Sequence, residues 1–206
     1  MKSPLQYQRT EYDCGPTSML NAISYLFERE EIPPEILRNI MLYSLDSYNA
    51  EGVSGKCGTS GAAMMFLDNW LNGFGKTGRL AISSRYLRGK EVFLGKESYI
   101  IDALRRGGVA VVRLLLGEGH YVLLNGYEDN NVRMFDPYYL NRPFPQEDIV
   151  TLIGVERQYN RIVPVHYFNT EENELYAFGV FEDREAVILF NNKTKLTADK
   201  TIEYFI

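Results

Sequence analysis

The apolar residues of this chain change their period part-way along, and that change limits the folds open to it. Up to about residue 105 they recur every three or four positions; from Val109 onward they run continuously or alternate. The first spacing builds helices with one buried stripe, and the second builds strands. Helices first and strands afterwards predict an α+β architecture rather than an alternating α/β one.

Four helices are predicted. After Cys14, apolar residues at Met19, Leu20, Ile23, Leu26 and Phe27 share one face. "IPPEILRNIMLYSL" starts a second helix with Pro34 in its first turn and Ile36, Leu37, Ile40 and Met41 inward. "GTSGAAMMFLDNWLNGFG" gives a third, capped by Thr59 or Ser60, with Phe66, Leu67, Trp70 and Leu71 as its apolar face and Gly73 or Gly75 at its end. "ESYIIDALRRGG" gives a short fourth that stops at the glycine pair. Then "VAVVRLLL" reads as a buried strand, and "HYVLLNGYEDNNVRMFDPYY" as a hairpin turning at "DNN". "ELYAFGVFEDREAVILFNN" and "KTIEYFI" carry further hairpin patterns, and "LNGFGKTGRLAISS" is the expected seam between helical and strand-rich parts.

Composition narrows the function classes. The net charge is −5 and the basic residues are scattered, so no nucleic-acid footprint is present. No apolar run reaches the length of a membrane span, and "MKSPLQYQRT" holds no signal-peptide core, so the chain reads as cytoplasmic. Two cysteines are too few for a disulfide framework or a thiolate zinc site. No cofactor is expected, and each cysteine needs its own explanation.

Cys14 precedes Gly15 and Pro16 at the start of a helix, in "YQRTEYDCGPTSMLNAISYLF". A thiol there faces unpaired N–H groups and the positive end of the helix dipole, which favour the thiolate. A lone thiol is more often plain packing, so partners must decide. Asp13 works against a thiolate if its side chain points inward, and is expected to face away or to cap the helix. Cys57, in "GVSGKCGTSG", also precedes a helix but lacks the Gly-Pro step and a well-spaced upstream glutamine. Its loop is expected to line a cleft, with Cys57 incidental.

A nucleophilic cysteine needs a base, and the base needs an orienting group. The chain has two histidines. His120 begins the predicted hairpin and Asp136 closes it, so a turn at "DNN" sets the two side by side at its open end, as an imidazole–carboxylate pair requires. His166, in "IVPVHYFN", has no carboxylate evidently placed for it and reads as a barrel or surface histidine. An oxyanion donor can come from Gln8 or Gln6, both just upstream of Cys14, and spacing alone does not choose between them. The 15 tyrosines read as strand and sheet-face residues rather than a stacking surface.

"Q-x5-CGP" opening a helix, then "GHYVLLNG", then "DP" after a hairpin, resembles the bacteriocin-processing double-glycine leader peptidases and their free-standing relatives, within the papain-like cysteine peptidases. The resemblance covers roughly residues 5 to 140. It implies Cys14 as nucleophile, His120 as general base and acid, Asp136 as orienting carboxylate and Gln8, rather than Gln6, as oxyanion amide. It also implies one papain-like domain over residues 1–206, with a helical lobe (1–78) carrying Cys14 against a mainly β lobe (79–206) carrying His120 and Asp136. The chain departs from exporter-linked members in having no membrane span and no "GxxxxGK[ST]" loop, and the segment after about 145 is not explained by the resemblance. The implied activity is a cysteine peptidase or amidase acting on a peptide or amide substrate. An acyl or peptidyl transferase using the same residues, and an inactive peptide-binding relative, are the alternatives.

Overall fold

Residues 1–153 and 158–197 are described in the computed structural model of the chain. Helix α1 (Cys14–Leu26) opens at the Cys-Gly-Pro step and turns Met19, Ala22, Ile23 and Leu26 inward. Helix α2 (Pro34–Ser44) starts at its proline, where the missing N–H has no partner to lose. Only Ile36, Ile40 and Ser44 of α2 are buried; Leu37 and Met41, expected inward, are exposed. The helix rests one narrow stripe on α1 and on α3 (Gly61–Lys76), and the neighbouring column is left uncovered. In α3 the cap is Ser60, whose hydroxyl accepts the Ala63 N–H at 3.1 Å. Leu67 and Leu71 are buried and Trp70 is half-buried, whereas Phe66 is exposed and leans on Tyr43 of α2 with ring centroids 5.0 Å apart.

Neither Gly73 nor Gly75 ends α3, contrary to the sequence expectation. Gly75 serves close packing instead: a Cβ there would lie 2.2 Å from the Ile82 carbonyl oxygen. Helix α4 (Tyr99–Arg105) is capped by Ser98 and stops, as expected, before Gly107, which takes a left-handed φ of +77°.

Seven strands make one antiparallel sheet: β1 (Ile82–Arg88), β2 (Val109–Leu116), β3 (Glu118–Glu128), β4 (Asn131–Phe135), β5 (Val150–Thr151), β6 (Arg161–Pro164) and β7 (Glu185–Asn191). Their order is β1-β7-β2-β3-β4-β6-β5. The expected α+β class is the one observed. Strand β2 lies inside the sheet and is apolar on both faces. Val109 and Val111 join the core under α1, α2 and α3, while Ala110, Val112 and Leu114 join a second core with α4, Phe168 and Phe178. That double burial explains its unbroken apolar run. Among the described residues no helix is long and apolar enough to cross a membrane.

One strand expectation needs correction, and one strand carries no expectation. "ELYAFGVFEDREAVILFNN" is not a hairpin: its second half is β7, but residues 174–180 run irregularly past the end of β2, with Tyr176 N–H donating to the Leu115 carbonyl and Leu115 N–H to the Ala177 carbonyl, both at 2.8 Å. Strand β1 was not expected, because an edge strand with half-buried Ser83 and Ser84 carries little apolar signal. "KTIEYFI" lies outside the described residues.

The β3–β4 hairpin turns at Asp129 and Asn130, whose φ values of +48° and +61° suit the two-residue turn that matches strand twist. From the turn the ladder begins with Glu128 opposite Asn131, continues to Gly126 opposite Arg133, and then shifts so that Leu124 faces Met134 and Leu123 faces Phe135. Asn125 is thus one extra residue in β3, a β-bulge. Side chains alternate faces, so a one-residue shift exchanges the faces of everything beyond it. Without the bulge Asp136 would sit opposite residue 123, on the face away from His120. With it, Asp136 sits opposite residue 122 and shares the face of His120.

The two helical glycines give opposite expectations. Replacing glycine by alanine inside a helix ordinarily stabilises by about 0.5–1 kcal/mol. A Cβ on Gly73 meets nothing within 4 Å, so Gly73→Ala is expected to raise the melting temperature. Gly75→Ala is expected to lower it, since its Cβ strikes the backbone of the first strand. Thermal unfolding of the two variants beside the parent checks the sign.

Candidate active site

Two hydrogen bonds fix how α1 lies on the sheet. The Ser18 hydroxyl donates to the Tyr121 carbonyl at 2.9 Å, and further along the helix the Tyr25 hydroxyl donates to the Asn125 carbonyl at 3.3 Å. Helix and strand β3 therefore run in the same direction, and the N-terminus of α1 arrives where β3 begins. Cys14 consequently meets His120. The imidazole Nε2 is 2.8 Å from Asp136 Oδ1, and the Cys14 thiol is close enough to the ring to add to the forces that favour its charged form. All three residues are buried: 7% of Cys14, 7% of His120 and none of Asp136 is exposed, so their mutual charges are little screened.

Burial by itself pushes the His120 pKa down. The charge and hydrogen bond of Asp136, with smaller contributions from Cys14, outweigh it and raise the value to about 10. Burial pushes Asp136 up, but His120, the Tyr138 N–H and the Arg161 charge outweigh it and hold the carboxyl below its ordinary range. At neutral pH the pair is an imidazolium against a carboxylate.

The carboxylate is held on every side. Oδ1 also accepts the Tyr138 N–H at 2.8 Å, and Oδ2 accepts the Tyr176 hydroxyl at 2.8 Å. The Asn160 amide clamps the main chain of the same residue, accepting Asp136 N–H at 2.8 Å and donating to the Asp136 carbonyl at 2.7 Å. Sequence reasoning missed Asn160, Arg161 and Tyr176, since no spacing rule ties them to residue 136.

Asp13 stands at the N-cap of α1 without capping it. Its carboxylate turns back and accepts the Arg9 N–H at 3.1 Å, and the Thr10 N–H and hydroxyl at 2.7 Å each. Burial raises its pKa, but these donors outweigh it and leave the carboxyl lowered. The turn from Arg9 to Asp13 is thereby fixed. It carries Gln8, whose N–H donates to the Pro137 carbonyl at 2.9 Å, next to Asp136. The Gln8 Nε2 donates to the Thr10 carbonyl at 2.8 Å, and its Oε1 is buried without a partner. Gln6 is fastened elsewhere: its N–H and carbonyl bond the Asn21 amide, two turns along α1. Of the two glutamines, Gln8 is the one held at the Cys14 end.

Gly15 has a steric reason. A Cβ there would lie 2.3 Å from Thr59 Oγ1, so the loop before α3 closes directly over the residue after Cys14. That loop is anchored by Asp46, which accepts the Ser60 N–H and hydroxyl. Cys57 itself is exposed. Beyond Thr59 a groove of about 500 Å³ opens, lined by Gly61, Tyr86, Arg113 and Glu185 among others. Glu185, on the same face as Cys14, accepts the hydroxyls of Tyr121 and Tyr86. Burial and that carboxylate push both phenols above their ordinary range. His166 lies in a one-turn helix on the surface. A carboxylate does stand near it, contrary to the sequence reading: Asp148 Oδ2 is 3.7 Å away, but both side chains are half or more exposed.

Residues 2–166 match the model of the Peptidase_C39 like family. The chain belongs to this family. Membership agrees with the four helices, the antiparallel sheet and a papain-like arrangement, and it supports a cysteine peptidase function and a peptide substrate in general terms. No curated protein matches the chain.

Two outcomes follow for this family member. A histidine whose folded pKa is raised contributes stability that is complete below its unfolded value, about 6.5, and disappears as pH rises through about 10. Urea unfolding is expected to show the parent losing its advantage over His120→Gln across that window. Deleting Asn125 restores an uninterrupted ladder and carries His120 to the other face. The deletion is expected to keep its far-UV circular dichroism while losing the same pH-dependent component.

Proposed function

We propose that the chain is a cysteine peptidase that cleaves a peptide or amide bond through a Cys14 thioester. The observation that carries this reading is the buried imidazole with the Asp136 carboxylate 2.8 Å from Nε2 and the buried Cys14 thiol among the groups acting on the same ring. The Cys14 thiolate adds to the substrate carbonyl carbon, and the carbonyl electron pair moves to oxygen. That oxyanion meets the Cys14 N–H at the start of α1 and the second N–H of the Gln8 amide, the first being taken by Thr10. The His120 imidazolium gives its proton to the departing nitrogen as the C–N bond breaks, leaving a thioester and a free amine. Water then attacks the thioester while His120 takes its proton. Collapse releases the acid and restores the thiolate–imidazolium pair. Asp136 fixes the ring orientation throughout and stays ionised.

The groove beyond Thr59 is where the substrate chain lies in this reading, because it begins at the loop that covers Gly15. Its wall combines Arg113 with Glu185 and the Tyr86 hydroxyl, so polar substrate groups are matched better than a long apolar side chain.

Cys14→Ala is expected to abolish turnover of a fluorogenic peptide-amide library while melting like the parent. Cys57→Ala should retain near-parental rates, and Asp136→Asn should slow the reaction by about a hundredfold or more. Residual turnover in Cys14→Ala, or an inactive Cys57→Ala, sinks the assignment.

A further inference from the structure

Tyr176 lies beyond residues 2–166, the part matched by the family model, yet it touches the buried carboxylate. Its side chain is wholly buried and its hydroxyl reaches Asp136 Oδ2 at 2.8 Å. Its backbone is left-handed, with φ at +63°, an uncommon conformation for a bulky residue. Three contacts hold it there: its N–H donates to the Leu115 carbonyl at 2.8 Å, the carbonyl of the next residue, Ala177, accepts the Leu115 N–H at 2.8 Å, and the ring packs edge-on with Phe144, centroids 5.5 Å apart. A tyrosine that merely filled the core would need neither the strained backbone nor a hydroxyl aimed at one carboxylate oxygen.

Resting on the reading of Cys14, His120 and Asp136 given above, we infer that Tyr176 is a positioning residue, which locks the rotation of the Asp136 carboxylate so that Oδ1 stays aimed at His120 Nε2. A carboxylate with one anchored oxygen can turn about its Cβ–Cγ bond; one with both oxygens bonded cannot. The charged and titratable groups around the pair come from separate elements: Asp136 faces His120 from β3, Arg161 from β6 and Tyr176 from the 174–180 segment, and His120 faces Cys14 from α1. A phenol suits the task because it donates without adding a charge that competes with the imidazolium. Burial and the Asp136 charge push its pKa well above the usual range, so it remains a donor at working pH.

The test is the rate of Cys14 alkylation by iodoacetamide, read by mass spectrometry from pH 4 to 9 on the full chain. Parent, His120→Ala and Tyr176→Phe are compared, with melting temperatures alongside. Tyr176→Phe keeps the ring and is expected to melt near the parent, to react about tenfold more slowly at pH 6, and to move the acid limb of the profile to higher pH, because the carboxylate has lost a donor that favours its ionised form. Placing 3-fluorotyrosine at 176 keeps the shape, strengthens the donor and is expected to move that limb the opposite way, which covers a poorly folding phenylalanine variant. Should either replacement leave rate and profile parental while His120→Ala slows the reaction, the positioning role is wrong and the Cys14–His120 reading stands. Should His120→Ala itself behave like the parent, both fall.

Discussion

One extra residue in β3 decides whether His120 and Asp136 can meet. Strand pairing alternates faces strictly, and a two-residue turn at Asp129 and Asn130 would set the two side chains on opposite sides. Hydrophobicity cannot choose the register here, because Tyr121 and Leu123 serve one core while Val122 and Leu124 serve the other. Both faces of this strand accept apolar groups, so a slip costs little in burial. The bulge at Asn125 supplies the specificity that the apolar pattern lacks, and the Tyr25 and Asn125 hydrogen bonds hold it, the latter to the Gln158 carbonyl. The same contact of Tyr25 with β3 sets the direction of α1, so one short stretch of backbone governs both the histidine's face and the thiol's approach.

The second constraint is charge in a dry place. A carboxylate as buried as Asp136 is costly unless it is paired and hydrogen-bonded. Here the compensation is distributed: two oxygens receive three donors, the main chain is clamped by Asn160, and the Arg161 charge also favours the ionised carboxyl. The arrangement keeps the carboxylate ionised without depending on the histidine alone. In the proposed cycle, a base that gains and loses a proton needs a partner whose own charge does not change with it. Asp13 solves a related problem differently: its charge is taken up by the Arg9 and Thr10 N–H groups, which makes that turn rigid, and the Thr17 hydroxyl of α1 reaches the same carboxylate at 3.5 Å.

Local chemistry was readable in the sequence and long-range pairing was not. Cys14 at a helix start, the Asp129–Asn130 turn and the double burial of β2 follow from neighbours within a few residues. The proximity of His120 and Asp136 was anticipated from the hairpin alone, but the reason for their common face was missed, since "LLNG" carries no mark that says bulge rather than strand. Helix spacing does not settle burial where it depends on who lies opposite: Leu37, Met41 and Phe66 fit the period yet stay exposed, Phe66 with one face on Tyr43. Gly73 and Gly75 look alike in sequence, and only the nearness of Ile82 separates them. His166 lies at the surface as expected, but its carboxylate neighbour was not legible, since Asp148 reaches it from a segment the local pattern does not connect.

The residues after 166 complete the fold rather than decorate it. Strand β7 lies between β1 and β2, so the sheet has no continuous hydrogen-bonding path from β1 to the rest without it. It also brings Glu185 to the groove face and Ala186 and Ile188 to the second core. The irregular segment before it closes the end of β2 and delivers Tyr176 to Asp136. Arg184 joins these pieces: its guanidinium, almost fully buried, donates to the carbonyls of Gly179, Val92 and Asn169. A side chain that satisfies three separated stretches of backbone at once is expensive to bury alone and stabilising when all three are in place. Order in the 174–184 segment is thus coupled to order in the sheet, and through Tyr176 to the carboxylate that the proposed chemistry depends on.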